Sequence, residues 1–206
     1  MNLVQAIGST KTFIESLKKR VNSVFSMGTF VQIRPDNNIL KSLEGKKSTL
    51  IVACAGCANN SVAYDKIKPV YKVETDEKGN KMLIPYAIHD EAERVKTMLG
   101  ENGIKADIEL NDSWCFYTES KELSKMLGSP GWTDQGLKDR CVNYESILFL
   151  GCPDGVNGVK VRVGDKARVI PGMSNIGTYQ CFWRFDEGNG VVLIDREKSA
   201  FIRARS

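Results

Sequence analysis

The sequence predicts an α/β protein: a mostly parallel, doubly wound sheet of the flavodoxin or Rossmann kind, with an N-terminal helical extension and an inserted β-hairpin. Three observations lead there. Two unbroken apolar runs, "TLIVAC" (49–54) and "ILFL" (147–150), read as strands buried on both faces, as the strands of parallel sheets are. Stretches of helical periodicity alternate with the strand candidates, which is the pattern of a sheet with helices on both faces. At 206 residues, with 42% apolar and 26% charged residues, the chain is long enough for one substantial core.

Taken in order, residues 1–47 form the extension. Phe13, Ile14, Leu17, Val21, Val24 and Phe25 fall at helical spacing across 10–26, "TFVQIR" (29–34) alternates as a strand, and "DNNILKSLEGKK" (36–47) is a short helix stopped by Gly45. Residues 48–206 carry the cysteine-bearing α/β domain. The buried run at 48–54 is followed by Cys54 and Cys57 in C-x-x-C spacing. Residues 71–86 alternate on both sides of a polar turn and predict a hairpin. A helix follows over 89–102, then the strand "IKADIEL", then Cys115 in "DSWCFY". Short helices are expected at 120–128 and at 134–144, the second bearing Cys141. After the strand ending at Leu150, Val156, Val159 and Val163 are spaced for a helix. "ARVIPG" and the hairpin-like "GVVLIDREKSAFIRA" complete the chain.

Charge excludes one class of function and location suggests another. The 29 basic and 25 acidic residues give +4, dispersed along the chain with no basic block, so nothing favours nucleic acid. The N-terminus lacks the build of a secretory signal and no run approaches a membrane span, which predicts a cytoplasmic protein. In that reducing compartment, six cysteines point to metal or redox chemistry rather than to a disulfide framework.

In a parallel sheet, ligands bind beyond the carboxyl ends of the strands. Cys54, Cys57 and Cys152 follow strands directly and Cys115 comes a few residues past another, so all four project from one edge. Four thiolates there would hold zinc or an iron–sulfur cluster. The alternatives are a thiol–disulfide pair made by Cys54 and Cys57 ahead of a helix N-terminus, and a metal-free interaction module. Cys141 reads as structural, Cys181 as either, and the single histidine, His89, as a cap or surface residue. "GCPDGVNGV" is only loosely a phosphate loop, since it lacks the lysine–serine ending. No general base, nucleophile or flavin motif emerges.

Three stretches in order, "LIVACAGC" (50–57), "ILFLGCPDGV" (147–156) and "RVIPGMSNIGTY" (168–179), resemble the methylenetetrahydrofolate reductase C-terminal-like family of cysteine-rich modules. The resemblance covers about residues 48–180. It implies a 4Fe–4S cluster or zinc held by Cys54, Cys57, Cys115 and Cys152, and a cofactor turn at Gly151 and Gly155. It also implies a larger flavin-bearing partner in one-carbon metabolism that does the catalysis. The chain departs from the family pattern in having a single cysteine at 115 and in reducing the C-terminal cluster to Cys181. The N-terminal helix and the 71–86 hairpin are expected to mediate assembly.

Overall fold

The computed structural model describes residues 15–204 apart from 17, 20, 23, 24, 78, 80 and 112–133. The helix expected at 120–128 and Cys115 lie outside the described residues. The described strands build two sheets, not one. The parallel sheet contains β2 (Ser48–Cys54), β5 (Lys105–Asn111), β6 (Ser146–Leu150) and β7 (Arg168–Pro171) in the order β5-β2-β6-β7. The apolar runs of β2 and β6 lie at its centre, with Leu50, Ile51, Val52 and Ala53 registered against Ile147, Leu148, Phe149 and Leu150. All eight of these side chains are fully buried. Strand order reverses beside β2: the chain goes from β2 to β5 on one side, then crosses to β6 on the other.

The second sheet corrects the expectation of a simple doubly wound fold. It is curled and antiparallel, in the order β1-β8-β9-β3-β4, from β1 (Phe25–Ile33), β3 (Tyr71–Thr75), β4 (Lys81–Pro85), β8 (Met173–Asp186) and β9 (Val191–Ile194); β10 (Ala200–Arg203) also pairs with β8. Its spine is β8, 14 residues long. Tyr179, Cys181, Trp183 and Phe185 alternate on its buried face with Gln180, Phe182 and Arg184 on the other. That period of two, preceded by polar Ser174 and Asn175 and by Gly177, is weak in sequence, whereas the parallel strands announce themselves as solid apolar runs.

Other expectations change with it. Phe25 and Ser26, placed in the N-terminal helix by periodicity, begin β1 and pair with Phe182 and Cys181. The stretch 190–204 is not a hairpin: β9 and β10 both pair with β8 and not with each other. The 71–86 hairpin does form, but β3 also pairs with β9, so it belongs to the antiparallel sheet and is not an insertion in a parallel one.

Helices α1 (Asp36–Ser42), α2 (Cys57–Lys66), α3 (Ala87–Glu101), α4 (Asp134–Cys141) and α5 (Pro153–Val163) pack around the sheets. The sheets meet at Gly172, where the chain leaves β7 and enters β8. Its N–H donates to the Phe149 carbonyl (2.8 Å) and its carbonyl accepts from Arg34 N–H (3.0 Å). A Cβ there would stand 2.6 Å from Leu150 Cδ2, so only glycine lets the backbone cross this close to β6.

Helix α2 joins the two sheets, and its polar residues explain how. Residues 58–63 are all buried, including Asn59, Asn60 and Ser61. Buried polar groups need partners. Asn59 donates through Nδ2 to the Val70 carbonyl (2.8 Å) and accepts through Oδ1 from Ile88 N–H (3.0 Å), which satisfies an open amide in the first turn of α3. Ser61 Oγ accepts from Val31 N–H (3.1 Å) and donates to the Cys57 carbonyl (2.7 Å). β1 is the edge of its sheet, and α2 covers that edge's open amides.

Candidate thiol site

Cys54 ends β2, Cys57 is the first residue of α2, and Cys152 is the N-cap residue of α5. Both helix starts therefore converge at the switch in strand order, where open sheets of this kind form their crevice. The structure brings the Cys57 and Cys152 thiols into hydrogen-bonding contact, although 94 residues separate them in sequence. None of the described cysteines is in a disulfide. Cys152 is 2% exposed, whereas Cys57 is only partly buried.

Cys54 sits beside this pair. The space that a Cβ on Gly151 would take is held by the Phe149 ring, 2.4 Å away, and by Cys54 Cβ, 3.1 Å away. Gly151 thus admits two neighbouring side chains to the strand end, and Gly155 is buried within the first turn of α5. Gly28 of β1 does a similar job on the other side, since a Cβ there would stand 2.6 Å from Cys57 Sγ and 3.1 Å from Tyr179 Oη.

The surroundings of Cys57 are polar and connected. Its sulfur accepts hydrogen bonds from the Thr29 backbone and the Tyr179 hydroxyl. Asn60 Nδ2 donates to Tyr179 Oη (3.0 Å), while Asn60 Oδ1 accepts from the Trp183 indole (3.0 Å). The Cys152 contact, with burial second, raises the Cys57 thiol far above its ordinary range; Thr29 and Tyr179 act against that rise. Burial also raises Tyr179 and pushes Cys181 up to about 12, with the neighbouring polar groups of Trp183 and Ser26 opposing the latter. Cys181 is fully buried on β8 near Cys57. Cys141, buried at the end of α4, is likewise raised by burial and stays apart from the cluster.

Among the described residues, no three of His, Cys, Asp and Glu come together in an arrangement that could hold a metal ion. The thiol pair supplies half of the donors that tetrahedral zinc or a four-iron cluster takes. Cys115, the remaining ligand implied by the resemblance, lies outside the described residues. β5, the strand before it, ends at Asn111, which is registered with Cys54.

Sequence reasoning missed Asn60, Tyr179, Gly28 and Trp183. Asn60 carried a signal: "ANNSV" places consecutive polar residues within a helix that also has to be buried. Tyr179 and Trp183 carried one in their alternation with Gln180 and Phe182. Gly28 carried none, because its role depends on what packs against it.

A groove of about 380 Å³ lies elsewhere, between α3, β5 and the end of α4, lined by His89, Glu93, Asp107, Arg140 and Tyr144 among others. It contains no cysteine. Within it His89 Nε2 lies 3.6 Å from Glu93 Oε1 and the Tyr144 hydroxyl donates to Asp107, while Arg140 pairs with Glu109 (3.4 Å) outside the lining.

No family model matches this chain, no curated protein matches it and no solved structure matches it. Among the described residues, no helix is long and apolar enough to cross a membrane.

Proposed function

We propose that this protein is a thiol–disulfide exchange protein whose working pair is Cys57 and Cys152. The observation that carries this reading is the contact between these two thiols at the start of two helices. Two thiols in contact are the arrangement from which a disulfide closes once one proton leaves; the helix starts, Thr29 and Tyr179 favour that loss at Cys57, while burial and the Cys152 contact oppose it. Cys57 keeps the partner first read from the C-x-x-C spacing, Cys54, as a neighbour. The long-range Cys152 takes its place in the pair.

The test is oxidation of the reduced protein in graded thiol–disulfide buffers under anaerobic conditions, with peptide mapping. One Cys57–Cys152 disulfide per chain is expected, lost in Cys57→Ala and in Cys152→Ala and retained in Cys54→Ala and Cys141→Ala. A Cys54–Cys57 disulfide, or none, would sink the proposal.

A second reading is favoured by the register that pairs Cys54 with Asn111, four positions before Cys115. Here Cys54, Cys57, Cys115 and Cys152 hold an iron–sulfur cluster or zinc, and the chain is the accessory subunit of an oxidoreductase whose flavin-bearing partner does the chemistry. Iron with acid-labile sulfide, or stoichiometric zinc, after anaerobic purification would support it. The metal would disappear in each of the four alanine variants.

A further inference from the structure

We propose that Cys57 is the attacking thiol of the pair, that the Thr29 N–H and the Tyr179 hydroxyl form a two-donor cradle for its sulfur, and that its substrate is a disulfide. The inference rests on the reading of Cys57 and Cys152 as an exchange pair and assigns a role to each group around it.

Access distinguishes the two thiols first. Cys57 is partly exposed and Cys152 almost completely buried, so an incoming disulfide meets Cys57. The second distinction is the donor set. Thr29 lies on β1 with its N–H on the same open edge as that of Val31, the edge α2 covers. One edge amide therefore ends on Ser61 Oγ and the other on Cys57 Sγ. Tyr179 approaches the same sulfur from β8 over Gly28, which has no side chain to keep the two apart.

The cradle is held before any substrate arrives. The Tyr179 ring stacks on Phe201 (5.0 Å between centroids, 14° between planes), and Phe201 stacks on Tyr64 (3.8 Å, 8°). Asn60 donates to the Tyr179 hydroxyl and is itself fixed by the Trp183 indole, which makes Asn60 a positioning residue. The Tyr179 oxygen accepts from Asn60 and from the Ser26 hydroxyl, which leaves its own proton to give to the sulfur. Two donors aimed at one sulfur oppose the rise that Cys152 and burial impose, and stabilise the negative charge that develops on the sulfur as its proton leaves, as paired donors stabilise an oxyanion.

The chemistry balances without a metal. The Cys57 thiol, held protonated in the resting fold, loses its proton as its sulfur attacks one sulfur of R–S–S–R, forming Cys57–S–S–R and expelling R–S⁻, which takes up that proton. The Cys152 thiol then loses its proton and its sulfur attacks Cys57 Sγ, closing the protein disulfide and expelling the second R–S⁻, protonated in turn. Two protein thiols are oxidised, and one disulfide is reduced to two R–SH.

The test uses the full chain carrying Cys152→Ala, so that the reaction stops at the mixed disulfide. With oxidised glutathione or a chromogenic aromatic disulfide at neutral pH, the adduct should map to Cys57. In Cys57→Ala, Cys152 should stay unmodified. Adding Tyr179→Phe removes one donor to a charged acceptor and should slow the reaction about tenfold. A loosened fold would speed modification instead, so the sign separates the cradle from a structural role. If Tyr179→Phe folds poorly, a fluorinated tyrosine incorporated at 179 keeps the shape, strengthens the donor and should speed the reaction.

Unchanged rates in both variants, with Cys57 still the site of the adduct, would overturn the cradle and leave the exchange pair standing. An adduct on Cys152 would overturn the assignment of roles. If the wild type forms no Cys57–Cys152 disulfide, the exchange reading itself falls. The cradle is then tested alone by alkylation of Cys57 with iodoacetamide: slowing by Tyr179→Phe upholds it, and an unchanged rate rejects it.

Discussion

Cys181, Cys57 and Tyr179 all hold their protons more tightly in the fold than in the unfolded chain, and the consequence is a pH dependence of known sign. Burial sets Cys181 at about 12, while an unfolded thiol ionises near about 8.5. Between those values the unfolded chain has released protons that the native state still binds, so stability falls as pH rises through the window. Cys57 and Tyr179, also raised, push in the same direction. Urea midpoints should therefore drop steadily above about pH 8.5, and Cys181→Ala should flatten part of the slope. A midpoint independent of pH across that window would contradict the buried, neutral thiols described here.

Two elements depend on single residues that nothing larger or less polar can replace. On β1, Gly28→Ala would drive a methyl into Cys57 Sγ and Tyr179 Oη. The overpacking should cost about 1–3 kcal/mol and separate Tyr179 from the thiol. Thermal denaturation reads the first effect, and the rate of Cys57 alkylation the second. On α2, Asn59→Ala would leave the Val70 carbonyl and the Ile88 N–H buried without their partner. Each orphaned group costs about 1–3 kcal/mol. The loss should appear as a lower urea midpoint, larger than that of an alanine substitution at an exposed position such as Lys66 on the same helix. Equal losses at the two positions would show that Asn59 does not hold α3 to α2.

Across the whole molecule, stability should be graded from the centre of the parallel sheet outward. β2 and β6 are buried along their lengths and flanked by strands on both sides, whereas β10 is a four-residue edge strand exposed over most of its surface. Native-state hydrogen exchange should find the amides of Leu50–Ala53 and Ile147–Leu150 opening only with global unfolding, and those of β10 opening locally. Gly172, where the chain steps between sheets, is the joint of this gradient. Gly172→Ala should weaken both sheets together because a Cβ would strike Leu150 of one sheet at the first residue before the other begins. Selective loss of protection in the antiparallel sheet alone would argue that the two sheets unfold independently.

The sequence by itself determined the strands β2 and β6, the helices α3 and α5, the 71–86 hairpin and the placement of cysteines at strand ends. Each of these rests on local pattern: an unbroken apolar run, a repeat of three to four residues, or a turn between alternating stretches. It did not determine that β1, β8, β9 and β10 join that hairpin in a second, antiparallel sheet. Their alternation is interrupted by polar and glycine residues, and their pairings join segments as distant as Phe25 and Phe182. Tertiary structure also chose the partner of Cys57. Spacing pointed to Cys54, three residues away, because only near neighbours are visible along a chain. Cys152 reaches the same place because β2 and β6 lie side by side and in parallel, so that the chain turns out of both strands at one edge and delivers a thiol from each.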